Sequence, residues 1–195
     1  MTKKLLALMG SERRHRSTEN FLDIFIEEKF KAFDVKKIIL KDLSFSNCIS
    51  CYGCAKVPRC VVKDDMTDIY PLIDNSDVVI FASPIYFNSV SALSKSFIDR
   101  MQLYWSRKFL RKEILPKNKL GFGLFVGGAP LTDQQFLGAE LVLKHFFMAI
   151  GTKKYTYLEL SDTDKREVQK TEEILTYINK HFEDNSLYES ISQIN

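Results

Sequence analysis

Asp77-Val78-Val79-Ile80-Phe81-Ala82-Ser83-Pro84-Ile85-Tyr86-Phe87-Asn88-Ser89-Val90-Ser91 reads as a strand that empties into a loop. Its apolar run is short, unbroken and rich in β-branched and aromatic side chains, as in a strand covered on both faces. Pro84 cannot donate to a ladder and stiffens the exit. Tyr86 and Phe87 then stand at the carboxyl end of the strand, where a planar ligand would meet them; the alternative is that both are core residues.

Four similar runs lie on either side of this one: Lys4–Met9, Val35–Leu40, Leu120–Val126 and Tyr155–Leu160. Helical periodicity fills the gaps. Ser17–Phe33 places Phe21, Leu22, Phe25, Ile26 and Phe30 on one stripe. Val90–Trp105 repeats the pattern with Leu93, Phe97, Ile98, Met101 and Tyr104 or Trp105. Thr132–Ile150 opens on a Thr-Asp cap and ends before Gly151. Thr163–Phe182 is the last helix, and a short one near Met66–Ile73 precedes the central strand. This alternation predicts an α/β fold with a parallel sheet between two helical layers. Five strands suit a flavodoxin-like three-layer sandwich in the order 2-1-3-4-5, with its ligand crevice at the carboxyl ends of strands one and three. The 195 residues are read as one domain over 1–185, with a cysteine-rich loop insertion at 44–66 and a polar tail at 186–195.

A net charge of +3 gives no case for nucleic-acid binding. No run approaches the ~18 apolar residues that would span a bilayer. The opening MTKKLLALMG is too short for a signal peptide and runs into Ser11-Glu12-Arg13-Arg14-His15-Arg16 with no cleavage-like pattern. A cytoplasmic protein is expected, with its thiols reduced.

All four cysteines fall in one stretch, Cys48, Cys51, Cys54 and Cys60, spaced C-x2-C-x2-C-x5-C. Three thiols at successive x2 spacings can converge from a tight loop, as an iron–sulfur cubane requires, with one thiolate for each iron. Zinc more often joins two separate C-x2-C knuckles. A thiol–disulfide switch at Cys51 and Cys54, or thiols without function, are the remaining readings. Lys56, Arg59 and Lys63 would offset the thiolate charge or simply be solvated. Asp64 and Asp65 are expected to cap the helix that starts near Met66. Asp99-Arg100 is read as a structural ion pair or an interface element. The run Arg107, Lys108, Arg111, Lys112 is either a solvated face or a surface for an acidic donor such as ferredoxin.

Two more strand ends carry unusual residues. After strand one, Gly10 leads through Ser11, Arg13, Arg14, His15 and Arg16 to Ser17 and Thr18. A glycine turn feeding hydroxyls and cations into a helix N-terminus makes an anion site that suits a phosphate. The alternative is an ordinary helix start with a solvated basic turn. After strand four, Gly127-Gly128-Ala129-Pro130 would let backbone approach a ligand closely.

The G-S-x-R-x-x-x-S-T loop at Gly10–Thr18, the segment from Ser83 through Ala92 with Phe97-Ile98-Asp99-Arg100, and the later Gly-Gly loop resemble the NADPH-dependent FMN reductase family. The cysteine spacing followed by Asp64-Asp65-Met66 resembles the iron–sulfur flavoproteins, which pair FMN with a [4Fe-4S] cluster. The resemblance covers roughly residues 3–160. It implies that Ser11, Arg13, Ser17 and Thr18, with Arg16 in the same loop, hold the FMN phosphate. It also implies that Pro84, Ile85, Tyr86, Phe87, Asn88 and Ser89 surround the isoalloxazine ring, and that Gly127 and Gly128 form the third flavin loop. Cys48, Cys51, Cys54 and Cys60 become cluster ligands. No side chain is required as a catalytic acid or base, because the flavin carries the reactive atom. Glu12 and Arg16 stand where the family often has proline and glycine, and Asn88 replaces a common glycine. The expected function is an FMN-dependent oxidoreductase passing electrons between a donor, such as ferredoxin acting through the cluster, and an acceptor. The alternatives are an NAD(P)H-dependent FMN or quinone reductase without a cluster, with NAD(P)H as co-substrate, and a non-catalytic redox sensor or carrier. A homodimer or homotetramer is expected, since the aromatic helix end at Trp105 and the cysteine loop need cover.

Overall fold

A computed structural model describes residues 2–115 and 119–183; the polar tail at 186–195 lies outside them. The sheet is built from β1 (Lys4–Met9), β2 (Asp34–Ile39), β3 (Val78–Tyr86), β5 (Lys119–Val126) and β6 (Thr152–Leu160), all parallel, in the order β2-β1-β3-β5-β6. A two-residue strand, β4 (Ser89–Val90), folds back antiparallel on the end of β3. Leaving β4 aside, the order is the expected 2-1-3-4-5. Leu5 pairs with Val78, and Val78 with Leu120, so the three central strands start level and end at a common edge.

Alternation along the strands divides the core in two. Leu6, Leu8, Val79, Phe81 and Phe125 face the layer of α3 (Met66–Asn75), α4 (Ala92–Asp99), α5 (Gln102–Trp105) and α6 (Leu137–Ala149). Leu5, Met9, Val78, Ile80 and Phe122 face α1 (Ser17–Lys29) and α7 (Glu172–Glu183). Phenylalanines dominate this second face: Phe182 of α7 stacks on Phe122, with centroids 5.8 Å apart, and Phe25 and Phe30 close around the pair.

Helix boundaries depart from periodicity where side chains bond across elements. Helix α1 stops at Lys29, because Phe30 leaves helical backbone to pack edge-on against Phe33. The stretch 90–105 is broken twice. Val90 belongs to β4, Ser91 caps α4 with its hydroxyl, and the chain turns at Arg100, whose carbonyl accepts from Tyr70. Residues 132–136 form a turn closed by the Gln135 side chain on the Thr132 N–H, so α6 begins at Leu137. Helix α7 begins only at Glu172, because residues 162–164 bond back to the glycine loop. The last turn after α5, Ser106–Leu110, is π-helical, with the Arg111 N–H on the Ser106 carbonyl. Among the described residues no helix is long and apolar enough to cross a membrane.

Candidate functional site

The carboxyl ends of β1, β3 and β5 each open into one of the three glycine- or proline-marked loops. In the first, the Gly10 N–H bonds to Ala82 O at 2.8 Å, and a Cβ at Gly10 would lie 1.9 Å from Ser94 Oγ. Only glycine fits there. Ser11 is buried and its hydroxyl accepts the Arg13 N–H at 3.1 Å. Arg16 occupies the N-cap of α1 in extended backbone, and no side chain caps the helix, so its first N–H groups face the loop without a side-chain acceptor. Arg13 is exposed with no ion pair among the described residues, whereas Arg16 reaches Glu167 at 3.3 Å. Ser17 Oγ accepts the Val168 N–H, and Thr18 is buried.

Sequence reasoning missed the residue that organises this loop. Glu19 is 1% exposed and accepts from Arg14 Nε, from the His15 N–H at 2.6 Å and from Lys37 Nζ. Burial opposes its charge, but the hydrogen bonds from Arg14, His15 and Lys37 prevail and lower its pKa to about 2. His15 sits in left-handed backbone with its ring exposed. The signal was Glu at the third position of a helix after an Arg-rich turn, where a carboxylate can reach back to the orphan N–H groups.

The second loop is a hairpin. Ile85 pairs with Val90 and Tyr86 with Ser89, leaving Phe87 and Asn88 as a two-residue turn with φ of 50° and 57°. Positive φ at both positions is the type I′ geometry, which Asn tolerates and Phe does not favour. Tyr86 is half-exposed and Phe87 wholly exposed, which excludes the core alternative for both. Pro84 is buried, and Ile85 and Ser89 are half-buried beneath them. A knot of buried hydroxyls ties this loop to the first. Ser91 Oγ donates to Gly10 O at 2.6 Å, Ser94 Oγ donates to the same carbonyl at 3.2 Å, and Ser83 Oγ accepts the Ser91 N–H at 3.1 Å. Ser94, one helical turn beyond the quoted motif, was not singled out from sequence.

In the third loop the glycines make room for protein rather than for open space. A Cβ at Gly127 would meet Gln135 Nε2 at 2.6 Å, and one at Gly128 the Asp164 carboxylate at 2.4 Å. Residues 162–164 strap the loop down: Asp162 N–H to Ala129 O, Thr163 N–H to Gly127 O and Asp164 N–H to Gly128 O.

The cysteines form a separate place. All four line one cavity of about 190 Å³, walled by Tyr52, Val61, Arg100, Gln102, Trp105 and Ser106 among others. Its wall begins at the C-terminal end of α4. Ser91 pins the crevice at the other end, about 12 Å away along a helix of this length. The chain turns left-handed at Ser50 and Tyr52, on both sides of the exposed Cys51. Among the described residues no three His, Cys, Asp or Glu donors converge closely enough to share one metal ion.

Charges around the cavity are also differently placed from the sequence reading. Arg100 does not pair with Asp99, which takes Lys95; it forks onto Asp64 at 2.6 and 3.0 Å and reaches Cys60 Sγ at 3.5 Å. Asp64 does accept the Met66 N–H, but Asp65 turns away to the Ser44 N–H. The two arginines of the basic run are paired: Arg107 binds Asp74 and Glu113, and Arg111 binds Glu113 and the Cys54 carbonyl, whereas Lys108 meets the Met148 carbonyl.

A match to a family of known proteins runs through most of these parts. The family model described as NADPH-dependent FMN reductase matches residues 3–154. The chain belongs to that family. This membership makes it a flavin-binding redox protein, and the matched span contains the first two loops, Gly127 and Gly128, and the four cysteines. An iron–sulfur flavoprotein of Archaeoglobus fulgidus is 35% identical over 109 residues, 55% of this chain and 50% of that protein. One from Methanosarcina thermophila is 30% identical over 127 residues, 65% of this chain and 64% of the other. One from Methanocaldococcus jannaschii is 31% identical over 157 residues, 76% of each. The chain thus spans half to two-thirds of the length of the first two relatives. The fold matches an NAD(P)H:quinone oxidoreductase of Methanothermobacter marburgensis with a TM-score of 0.68 at 14% identity, over 92% of both chains, which shows a shared flavodoxin-like architecture.

Proposed function

We propose that the chain is an FMN-dependent oxidoreductase that relays electrons through a [4Fe-4S] cluster held by Cys48, Cys51, Cys54 and Cys60. The observation that carries this reading is the cysteine cavity. Four thiols surround one space, yet no three donors meet at a point. A single zinc needs its sulfurs ≈ 2.3 Å from one centre. A cluster takes one thiolate for each iron and separates them. The donor set therefore suits the polynuclear group better than zinc.

The crevice fits the flavin in the same way. Uncapped N–H groups at the start of α1, with the unpaired Arg13 beside them, would hold the phosphate. Tyr86, Phe87, Asn88 and Ser89 would border the ring, presented by a paired hairpin. When bound, FMN supplies a carrier that takes electrons singly or in pairs. The protein's part is to fix its position and limit its contact with water. Gly127 and Gly128 would support it indirectly, through the tight packing of Gln135 and Asp164.

The donor proposed is an acidic one-electron carrier of the ferredoxin kind. Lys56, Arg59 and Lys63 are exposed around the cysteine loop without ion pairs among the described residues, and with Lys108 and Lys112 they would supply its contact. A homodimer or homotetramer is proposed from the exposed Trp105, Phe109, Leu110, Leu141 and Met148. Protein purified and reconstituted without oxygen is expected to hold about four iron atoms and one FMN per chain. Zinc in place of iron, or an iron-free yellow protein reduced rapidly by NAD(P)H, would replace the relay with a flavin or quinone reductase.

A further inference from the structure

The four thiols differ in their surroundings. Cys51 is exposed, and among the described residues neither Cys48 nor Cys51 has a polar partner on its sulfur. Cys54 and Cys60 face inward. Cys54 Sγ lies 3.3 Å from Ser106 Oγ, and Cys60 Sγ accepts from Arg100 Nη2 at 3.5 Å. Ligation requires thiolates, and a thiolate has no proton to give, so the Ser106 hydroxyl must then be the donor. Both donors are fixed. Ser106 and Arg100 are each 2% exposed, and Arg100 is clamped by both Asp64 oxygens and by Ser46 O at 2.6 Å. The Arg100–Asp64 pair has its positive end on the sulfur.

Resting on the cluster reading above, we propose that Ser106 and Arg100 raise the reduction potential of the cluster through Cys54 and Cys60, and that Asp64 limits that rise. One-electron reduction by an external low-potential donor breaks and forms no bond; it adds one negative charge to the four-thiolate centre. Hydrogen bonds to the ligand sulfurs and a nearby cation favour that more negative form. A carboxylate behind the cation disfavours it. Ser106 and Arg100 act here as tuning residues through the ligands, not as catalytic groups.

The two arms of the proposal have opposite signs, which damage to the fold would not produce. The test is an anaerobic potentiometric titration of the reconstituted protein, followed by electron paramagnetic resonance, after iron and sulfide have been counted and folding checked by circular dichroism. Ser106→Ala is expected to lower the potential by about a tenfold change in the one-electron equilibrium constant, ~59 mV. Ser106→Thr, which keeps the hydroxyl, holds the wild-type value. Asp64→Asn is expected to raise the potential by a comparable amount. Shifts of Ser106→Ala and Asp64→Asn in the same direction, or both within about threefold of wild type (~28 mV), overturn the proposal while leaving the cluster in place. Should one of these variants fail to take up iron, the sign of the other decides. Wild-type protein that holds no iron after reconstitution overturns the cluster reading itself, and this inference with it.

Discussion

Glu19 lies in the first turn of α1, beneath the loop that would hold a phosphate, and its buried carboxylate ties Arg14, the His15 N–H and Lys37 together. Its pKa is lowered from the usual carboxylate value of 4.5 to about 2. The stability it contributes is therefore present above about pH 4.5 and is lost as the pH falls towards 2. At 1.36 kcal/mol per unit this amounts to about 3 kcal/mol at neutral pH. Glu19→Gln is expected to cost about 2–3 kcal/mol in urea unfolding at pH 7 and much less at pH 3. Glu159 behaves in the opposite sense. Burial, and then the neighbouring Glu140 carboxyl, push its pKa up to about 8, and among the described residues its Oε1 is buried without a partner. Stability from this group is full below about pH 4.5 and is lost as the pH rises through 8. Glu159→Gln should melt higher than wild type at pH 9, with the difference vanishing at pH 5. Glu19 left a local mark, a Glu in the first helical turn after an Arg-rich loop, but its burial and its bond to Lys37 on β2 were not legible, and neither was Glu159, which is set by burial and by Glu140 on α6.

At the scale of elements, the crevice depends on how two loops are pinned. Gly10 admits Ser94 Oγ where any Cβ would clash, and Ser91 and Ser94 both bond its carbonyl. Gly10→Ala is expected to destabilise the protein by about 1–3 kcal/mol and to weaken FMN binding; adding Ser94→Ala should recover part of both, as read by chemical unfolding and flavin fluorescence titration. If the double variant is no better than Gly10→Ala, the Ser94 contact is not the cause. The strands were legible because their apolar runs are short and unbroken between longer periodic stretches. The breaks at Arg100 and Leu137 were not, because a carbonyl taken by Tyr70 and a turn closed by Gln135 leave no mark on the periodicity. The hairpin at Phe87-Asn88 was partly legible: Asn is a turn residue, but Phe in left-handed backbone is not foreseeable from propensity.

Across the whole molecule, α7 completes the second core face. Phe182 stacks on Phe122 and meets Phe25 and Phe30 edge-on. Phe182→Ala is expected to cost about 3–5 kcal/mol, measurable by denaturant unfolding, with the flavin crevice on the carboxyl edge of the sheet left assembled. Most of the fifteen phenylalanines serve packing. Only Phe87 is bare at the crevice. The parallel sheet and its crevice edge follow from the alternation of runs, and the strand order from matching five strands to the flavodoxin-like arrangement. The place of the cysteine cavity does not, since a long insertion can fold against either end of α4, and the choice is made by Arg100, Ser106 and Arg111 gripping it from the far end.

The wide turn at Ser106–Leu110 has a consequence for register. With the Arg111 N–H on the Ser106 carbonyl, the segment holds one residue more than an α-helical turn would. It is an insertion stored in the winding. Winding the same residues at ordinary α pitch would rotate everything after the turn by about 100°. Arg111 would swing off the carbonyls of Cys54 and Val57, which it now holds. Ser106, ahead of the turn, would stay on the Cys54 sulfur. The extra residue works as a phase shifter on a screw: it lets one stretch of helix put a hydroxyl on a cysteine's sulfur and a guanidinium on the same cysteine's backbone.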